Sequence, residues 1–95
     1  MSVSAEDVFF MNAALEQARA ALDIGEIPVG AVVVCDNRVR SAAYNRRLVD
    51  QSPFAHAEML AIRRAAEALG DERLEGCELW VTLEPCAMCA GAIAH

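Results

Sequence analysis

The stretch 29–35, Val-Gly-Ala-Val-Val-Val-Cys, contains no polar side chain. A short apolar run of this kind predicts a strand that is buried on both faces of a sheet. Asp-Asn at 36–37 then predicts a tight turn, and 38–44 predicts a second strand. Arg38 and Arg40 lie on one face of that strand, as expected near the edge of a sheet. The first strand of this hairpin therefore needs an apolar cover on each of its two sides.

Two segments on either side of the hairpin predict helices. The segment 4–7 resembles a capping box, and apolar residues then recur at helical spacing until Gly25 ends the pattern. We expect the buried face of this helix to consist of Val8, Met11, Leu15, Ala18 and Leu22. A second helix is predicted over about 56–69, with Gly70 as its C-terminal stop.

The last part of the chain predicts one more strand and one more helix. Apolar residues alternate with polar ones over 77–83, which is typical of a strand. Pro85 ends this pattern, and an almost wholly apolar segment predicts a third helix from about Cys86 to His95. The second helix is long enough to make a parallel crossover between the second and third strands.

The predicted order is helix, strand, strand, helix, strand, helix, which indicates the α/β class with a mixed sheet. Residues 1–95 are expected to form a single domain, since no linker, repeat or low-complexity tract divides them. The apolar third helix needs burial on every side, and the third strand is left as an uncovered apolar edge. We therefore expect this domain to be the N-terminal part of a larger one.

Composition and charge exclude several classes of protein. Hydrophobic residues make up 56% of the chain and charged residues 23%, which excludes an intrinsically disordered protein. No apolar run has the length of a membrane span, and the acidic residues near the N-terminus differ from the basic start of a secretory signal. We expect a cytoplasmic protein without a membrane partner. With a net charge of −6, the chain could bind nucleic acid only at a local site.

The four cysteines fall into two kinds by their spacing. Cys86 and Cys89 form a Cys-x-x-Cys pair, which in a cytoplasmic chain indicates metal binding or redox chemistry. Cys35 and Cys77 stand alone at the ends of predicted strands, and we interpret both as small buried apolar residues rather than as disulfide partners. A thioredoxin-like redox pair and a structural zinc site with four cysteines stay open as alternatives at this point.

His56 supplies the third ligand of a zinc-type set. One imidazole and two thiolates bind zinc and leave a fourth tetrahedral position for water, which is the layout of a catalytic site. Glu58 follows His56 in the same predicted helix. A carboxylate there can carry protons, because zinc lowers the pKa of its bound water to about 7. Alternatively, Glu58 is a first-turn carboxylate that the helix dipole favours.

The combination of His-x-Glu with Pro-Cys-x-x-Cys resembles the signature of the zinc-dependent nucleobase deaminases. Three segments, 26–32, 55–58 and 82–92, resemble the bacterial tRNA-specific adenosine deaminases in particular, and the resemblance covers nearly the whole chain. It implies a cytidine-deaminase-like α/β/α sandwich, one Zn²⁺ per chain and a homodimer. It also implies conversion of the wobble adenosine of a tRNA anticodon to inosine.

The resemblance implies roles for individual residues as well. The zinc ligands and the proton carrier that it implies are His56, Cys86, Cys89 and Glu58. The residues that it implies for contact with the target nucleoside are Asn45, Ala57 and Val29. From its position after a strand alone, Asn45 is more often a turn-forming residue.

Two features of the chain differ from these relatives. Ser-Pro-Phe at 52–54 stands where many relatives have Asp-Pro-Thr, and the relatives continue well beyond the second zinc cysteine. Two other functions therefore stay open. The first is deamination of a free base or nucleoside such as guanine or cytosine, which the acidic charge suits. The second is a noncatalytic fragment, or a half of a deaminase that works only with a complementing piece.

Overall fold

The computed structural model describes residues 4–70, 74–83 and 91–94. The elements in chain order are α1 (Ala5–Asp23), β1 (Val29–Cys35), β2 (Arg38–Tyr44), α2 (Ala57–Leu69), β3 (Cys77–Leu83) and β4 (Gly91–Ala94). The first two helices and the first three strands lie where the sequence predicts them. Within the described ranges, no helix is long and apolar enough to cross a membrane.

Local signals fix the ends of both helices. Ser4 caps α1, since its side chain accepts a hydrogen bond from the backbone N–H of Asp7 at 3.0 Å. Gly25 after α1 and Gly70 after α2 have positive φ angles of 79° and 67°, a conformation that glycine adopts without steric cost. At the other end of α2, His56 is the N-cap residue and lies directly before the first turn.

β1 lies inside the sheet, whose strand order is β2-β1-β3-β4. Every pair of neighbouring strands in the described part of the chain is antiparallel, whereas the sequence predicted a mixed sheet. The position of β3 explains the difference. The connection through α2 takes the chain past β1, so β2 and β3 run in the same direction but are separated by β1.

The two faces of β1 are covered by different helices. Successive residues of a strand point to opposite faces. Val32 and Val34 belong to a buried cluster with Phe10 of α1, whereas Ala31 and Val33 belong to a cluster with Leu60 of α2. The α/β/α sandwich that the sequence predicted is therefore confirmed.

The buried face of α1 differs in part from the predicted one, since Ala18 is buried as expected. Val8 and Leu22 are 48% and 53% exposed. The residues of α1 that are buried are Phe10, Ala14, Ala18 and Ala21. Gly30 explains this choice, because a Cβ at that position would collide with backbone atoms of Ala14 and Ala18. The helix lies so close to β1 that alanines face the sheet beside Gly30, and Phe10 is the one large side chain among the buried residues of α1.

The predicted third helix is wrong over Gly91–Ala94, where the chain forms β4. The rest of that prediction, 84–90 and His95, lies outside the described residues. β4 pairs with β3 in antiparallel register, with Leu83 opposite Gly91. The edge of β3 that the sequence left uncovered is therefore occupied. Its unpaired backbone groups favour a strand there, and periodicity alone does not distinguish a short apolar strand from a buried helix.

Cys35 and Cys77 form a disulfide, so the interpretation of both as unlinked core residues is wrong. They are directly opposite each other in the β1–β3 ladder. Their Cα atoms are 4.4 Å apart, as in a non-hydrogen-bonded antiparallel pair. Their sequence separation is 42 residues, and only the strand register brings them together. Because both thiols are used, a zinc site with four cysteines does not fit this structure.

Candidate metal centre

The N-terminus of α2 carries the centre of the candidate site. His56 is the N-cap residue, and its imidazole makes no capping hydrogen bond. The first N–H groups of a helix have no partner inside the helix. That of Ala57 donates to Oδ1 of Asn45 at 2.9 Å in a buried hydrogen bond. Asn45, which lies 12 residues earlier in the chain, thus accepts the hydrogen bond of an N–H group in the first turn of α2. The imidazole of His56 does not serve as this acceptor.

Asn45 joins three of the predicted site residues. Its backbone N–H donates to the carbonyl oxygen of Val29 at 3.1 Å, and its side chain accepts from Ala57. Only 4% of Asn45 is exposed, and its Nδ2 makes no hydrogen bond among the described residues. A hydrogen-bonded path therefore runs from the start of β1, through the residue after β2, to the start of α2.

His56 and Glu58 flank Ala57 in the chain, so the path through Asn45 also fixes their backbone. Both side chains are half-buried, and Glu58 lies in the first turn of α2. The partial positive charge of a helix N-terminus favours a carboxylate at this position. The structure thus brings together five of the predicted site residues, which are Val29, Asn45, His56, Ala57 and Glu58.

The two predicted thiolate ligands, Cys86 and Cys89, lie outside the described residues. Among the residues that the structure does describe, no group of three or more His, Cys, Asp or Glu side chains could hold a metal ion. The sheet register still relates the two halves of the site. Leu83, which precedes Cys86 by three residues in the sequence, pairs with Val29. The C-terminal end of β3 therefore lies beside the N-terminal end of β1, where Asn45 is bonded. Chemically, an imidazole and two thiolates are a donor set that zinc prefers.

The loop 45–55 joins β2 to α2 beside this site. A hydrogen bond from the backbone N–H of Arg46 to the carbonyl of Ala55, at 2.9 Å, holds the two ends of the loop together. The guanidinium of Arg46 pairs with Asp50 at 3.1 Å, and its hydrogen bond to that carboxylate raises the pKa of Arg46. Asp50 thus neutralises Arg46, while Arg47 is exposed.

Glu26 is a buried polar residue to which the sequence gave no individual role. It is 4% exposed, and its Oε2 accepts a hydrogen bond from the backbone N–H of Val49, in the middle of the loop, at 2.6 Å. A sequence signal does exist: a charged residue follows Gly25, the glycine that ends a helix, at a position where an apolar residue is common.

The fold and these residues match a known class of protein. Residues 4–95 match the family described as the cytidine and deoxycytidylate deaminase zinc-binding region. The chain belongs to this family. Its cofactor is therefore Zn²⁺, and the cytidine-deaminase-like fold expected from the sequence is confirmed.

Within this family, the chain is similar to curated tRNA-specific adenosine deaminases. The enzyme from Bacillus subtilis is 49% identical over 88 residues, which cover 93% of this chain and 55% of the relative. The enzyme from Agrobacterium fabrum is 52% identical over 90 residues, which cover 95% of this chain and 59% of the relative. The chain thus spans little more than half the length of these relatives.

Solved structures show the same relationship. A chain from biochemical and structural studies of A-to-I editing by tRNA:A34 deaminases at the wobble position of transfer RNA has a TM-score of 0.79 and 52% identity, covering 90% of this chain and 65% of that one. Guanine deaminase from Bacillus subtilis has a TM-score of 0.74 and 36% identity, covering 92% of this chain and 55% of that one. Both are similar in fold, and the first is more similar in sequence.

Proposed function

We propose that this chain is part of a zinc-dependent hydrolase that converts the wobble adenosine of a tRNA anticodon to inosine. The reaction replaces the amino group of the adenine ring with an oxygen from water and releases ammonia. The observation that carries the reaction class is the path through Asn45, which fixes the start of α2 with His56 and Glu58 on it. The tRNA substrate is supported by the similarity to tRNA deaminases at 49% and 52% identity.

Zinc would be held by His56, Cys86 and Cys89. Chain connectivity supports this set, because Cys86 follows Leu83 by three residues and three residues span at most about 10 Å. Leu83 is paired with Val29, at the edge of the sheet next to Asn45. When the metal is bound, it supplies Lewis-acid activation of water.

Glu58 would carry the protons of the reaction. Water must lose one proton as it attacks the ring, and this proton goes to a ring nitrogen. The hydroxyl group then bound to the ring carbon must lose a second proton, which goes to the amino group as it leaves as ammonia. One carboxylate can perform these transfers in turn, since it accepts a proton first and returns it later. The position of Glu58 in the first turn of α2, half-buried and next to Ala57, suits a group that acts beside the metal.

Asn45 would orient the nucleoside. Its Oδ1 is used by Ala57, which fixes the orientation of the amide and leaves Nδ2 as a donor to the substrate. The backbone of Ala57 and the side chain of Val29 would line the pocket for the base, which must leave its stack to reach them. As the sequence resemblance implies, the protein would act as a homodimer in the cytoplasm.

A deaminase of free guanine is the second candidate. The similarity to Bacillus subtilis guanine deaminase, with its TM-score of 0.74, supports it. The net charge of −6 favours it too, because a small neutral base needs no basic surface. Salt dependence separates the two candidates, since RNA binding weakens steeply with added salt and turnover of a free base does not.

One competition reaction tests the proposal. The zinc-loaded chain is mixed with an anticodon hairpin that carries a wobble adenosine, with free guanine and with free cytosine, and all products are read by mass spectrometry. We expect inosine in the hairpin. Glu58→Gln should form it at least about 100-fold more slowly, with an unchanged zinc content. Glu67→Gln, an exposed position on the same helix, is the matched control and should keep its activity.

The other outcomes point elsewhere. Conversion of guanine or cytosine alone would contradict the tRNA substrate and support a free-base deaminase. No product from a chain that still holds zinc would contradict catalysis by this chain alone. Activity that returns on addition of a separately made C-terminal half would then identify it as a complementing piece.

A further inference from the structure

Glu26 is buried because of the way α1 ends. The helix closes in a Schellman motif, in which the N–H of Gly25 donates to Leu22 and the N–H of Glu26 donates to Ala21, both at 3.0 Å. The residue after the glycine in this motif commonly contributes an apolar side chain that packs against the helix. In this chain, the same position holds a carboxylate that is 4% exposed.

The buried carboxylate has its partner in the loop 45–55. Oε2 accepts the N–H of Val49 at 2.6 Å, the one hydrogen bond of the Glu26 side chain within the described residues. A charged acceptor makes a stronger hydrogen bond than a neutral one. Burial of a carboxylate costs free energy that an apolar side chain would not require. The hydrogen bond to Val49, and not the way in which α1 ends, therefore explains why this position holds a glutamate.

Apart from the bond to Glu26, the middle of the loop, 47–54, makes its hydrogen bonds within the loop in the described part of the chain. The N–H groups of Asp50 and Ser52 donate to the carbonyls of Arg46 and Arg47, at 2.8 and 3.0 Å. These bonds shape the loop into a compact turn but do not connect it to the rest of the fold. Glu26 connects the middle of this turn to the end of α1.

The loop connects two of the residues that we propose for the site. It begins at Asn45 and ends directly before His56. Leu48 and Phe54 on it are 67% and 71% exposed. A nucleoside bound at Asn45 would therefore have this loop beside it, and the position of the loop would affect how well the substrate binds.

We propose that Glu26 is a positioning residue for the substrate. It holds the loop 45–55 through the N–H of Val49, so that Asn45 and the exposed side of the loop meet the nucleoside in one geometry. This inference rests on the proposed deaminase function. Within the described part of the chain, the side-chain hydrogen bond of Glu26 goes to the loop and not to His56 or Glu58, so we expect its effect on substrate affinity and not on the chemical step.

Three variants test this role. Glu26→Leu keeps the size of the side chain but removes the acceptor, Glu26→Gln keeps a carbonyl acceptor, and Glu16→Leu makes the same change at an exposed position of α1. We measure amide hydrogen exchange at Val49, and KM and kcat for the hairpin. In Glu26→Leu we expect exchange about 10-fold faster or more, KM about 10-fold higher and kcat within about twofold. In Glu26→Gln, the exchange rate at Val49 and KM should stay within about threefold of the wild-type values. Glu16→Leu should have the wild-type values of both.

Unchanged exchange at Val49 in Glu26→Leu would overturn the proposal. Faster exchange with an unchanged KM would overturn it as well, since the loop would then be held without positioning anything. If Glu26→Leu does not fold, amide exchange in the wild type tests the contact instead. The N–H of Leu48 makes no hydrogen bond among the described residues and serves as the reference. The proposal requires slower exchange at Val49 than at Leu48, and equal rates would overturn it. A wild type that makes no inosine contradicts conversion of the tRNA hairpin by this chain instead, and the exchange rates still decide whether Glu26 holds the loop.

Discussion

The two ends of the β1–β3 ladder are held in different ways. At one end, Cys35 and Cys77 lie opposite each other and form a disulfide. At the other end, Val29 lies opposite Leu83, and the carbonyl of Val29 accepts the N–H of Asn45. A covalent bond therefore closes the end that is remote from the candidate site, and hydrogen bonds organise the end that carries it.

This difference shows how strand register assigns the cysteines. All four thiols have similar chemistry, but the register places Cys35 and Cys77 together at the remote end of the ladder. Cys86 and Cys89 follow β3 in the sequence, and β3 ends at the site. The disulfide thus leaves one thiol pair for the metal, and the spacing of the cysteines alone does not reveal this division.

The largest expected effect comes from breaking the remote end. Cys35→Ala should lower the free energy of unfolding by about 3 kcal/mol, because the disulfide restricts the unfolded chain. Cys77→Ala removes the same bond, so the double variant should be little less stable than either single variant. Urea unfolding of the zinc-loaded chain without reductant measures all three. If the losses in the free energy of unfolding of the two single variants add up in the double variant, the two cysteines are not bonded to each other. The two ends of the ladder would then not differ by a covalent bond.

A smaller effect is expected at the site end. Asn45→Ala leaves the buried N–H of Ala57 without an acceptor and should cost about 2 kcal/mol. Asn45→Asp keeps an oxygen acceptor and should cost less, as measured by urea unfolding. Asn12→Ala, at an exposed position of α1, is the control and should change stability by no more than about 0.5 kcal/mol. If Asn45→Ala and the control lower the free energy of unfolding equally, the hypothesis that Asn45 fixes the start of α2 is contradicted.

Most elements of this fold could be predicted because their signals are local. Ser4 and Gly25 mark the ends of α1, Gly70 marks the end of α2, and an unbroken apolar run marks β1. A cap, a helix stop and a buried strand each depend on neighbours in the sequence, which is why they were predicted from it.

The features that the sequence did not predict are non-local. The disulfide depends on the register between β1 and β3, and the buried face of α1 depends on its close approach to Gly30. Gly91–Ala94 forms a strand because β3 offers an edge to pair with. None of these causes lies in the segment that it affects.

The candidate site divides in the same way. His56 and Glu58 could be singled out by a short motif, and the resemblance to a family added Asn45, Ala57 and Val29. The hydrogen bond between Asn45 and Ala57 spans 12 residues of chain and has no sequence signature, and neither does the bond from Val49 to Glu26. The ligand roles of Cys86 and Cys89 stay predictions, since these residues lie outside the described part of the chain.

X-ray absorption spectroscopy at the zinc edge of the zinc-loaded chain tests the central claim most directly. We predict two sulfur ligands at about 2.3 Å and nitrogen or oxygen ligands at about 2.0–2.1 Å, with the sulfurs from Cys86 and Cys89 and a nitrogen from His56. Four sulfur ligands would contradict the account, because Cys35 and Cys77 would then bind the metal instead of each other. Zinc with no sulfur ligand would contradict it too, because the metal would lie outside the site that β3 and α2 define.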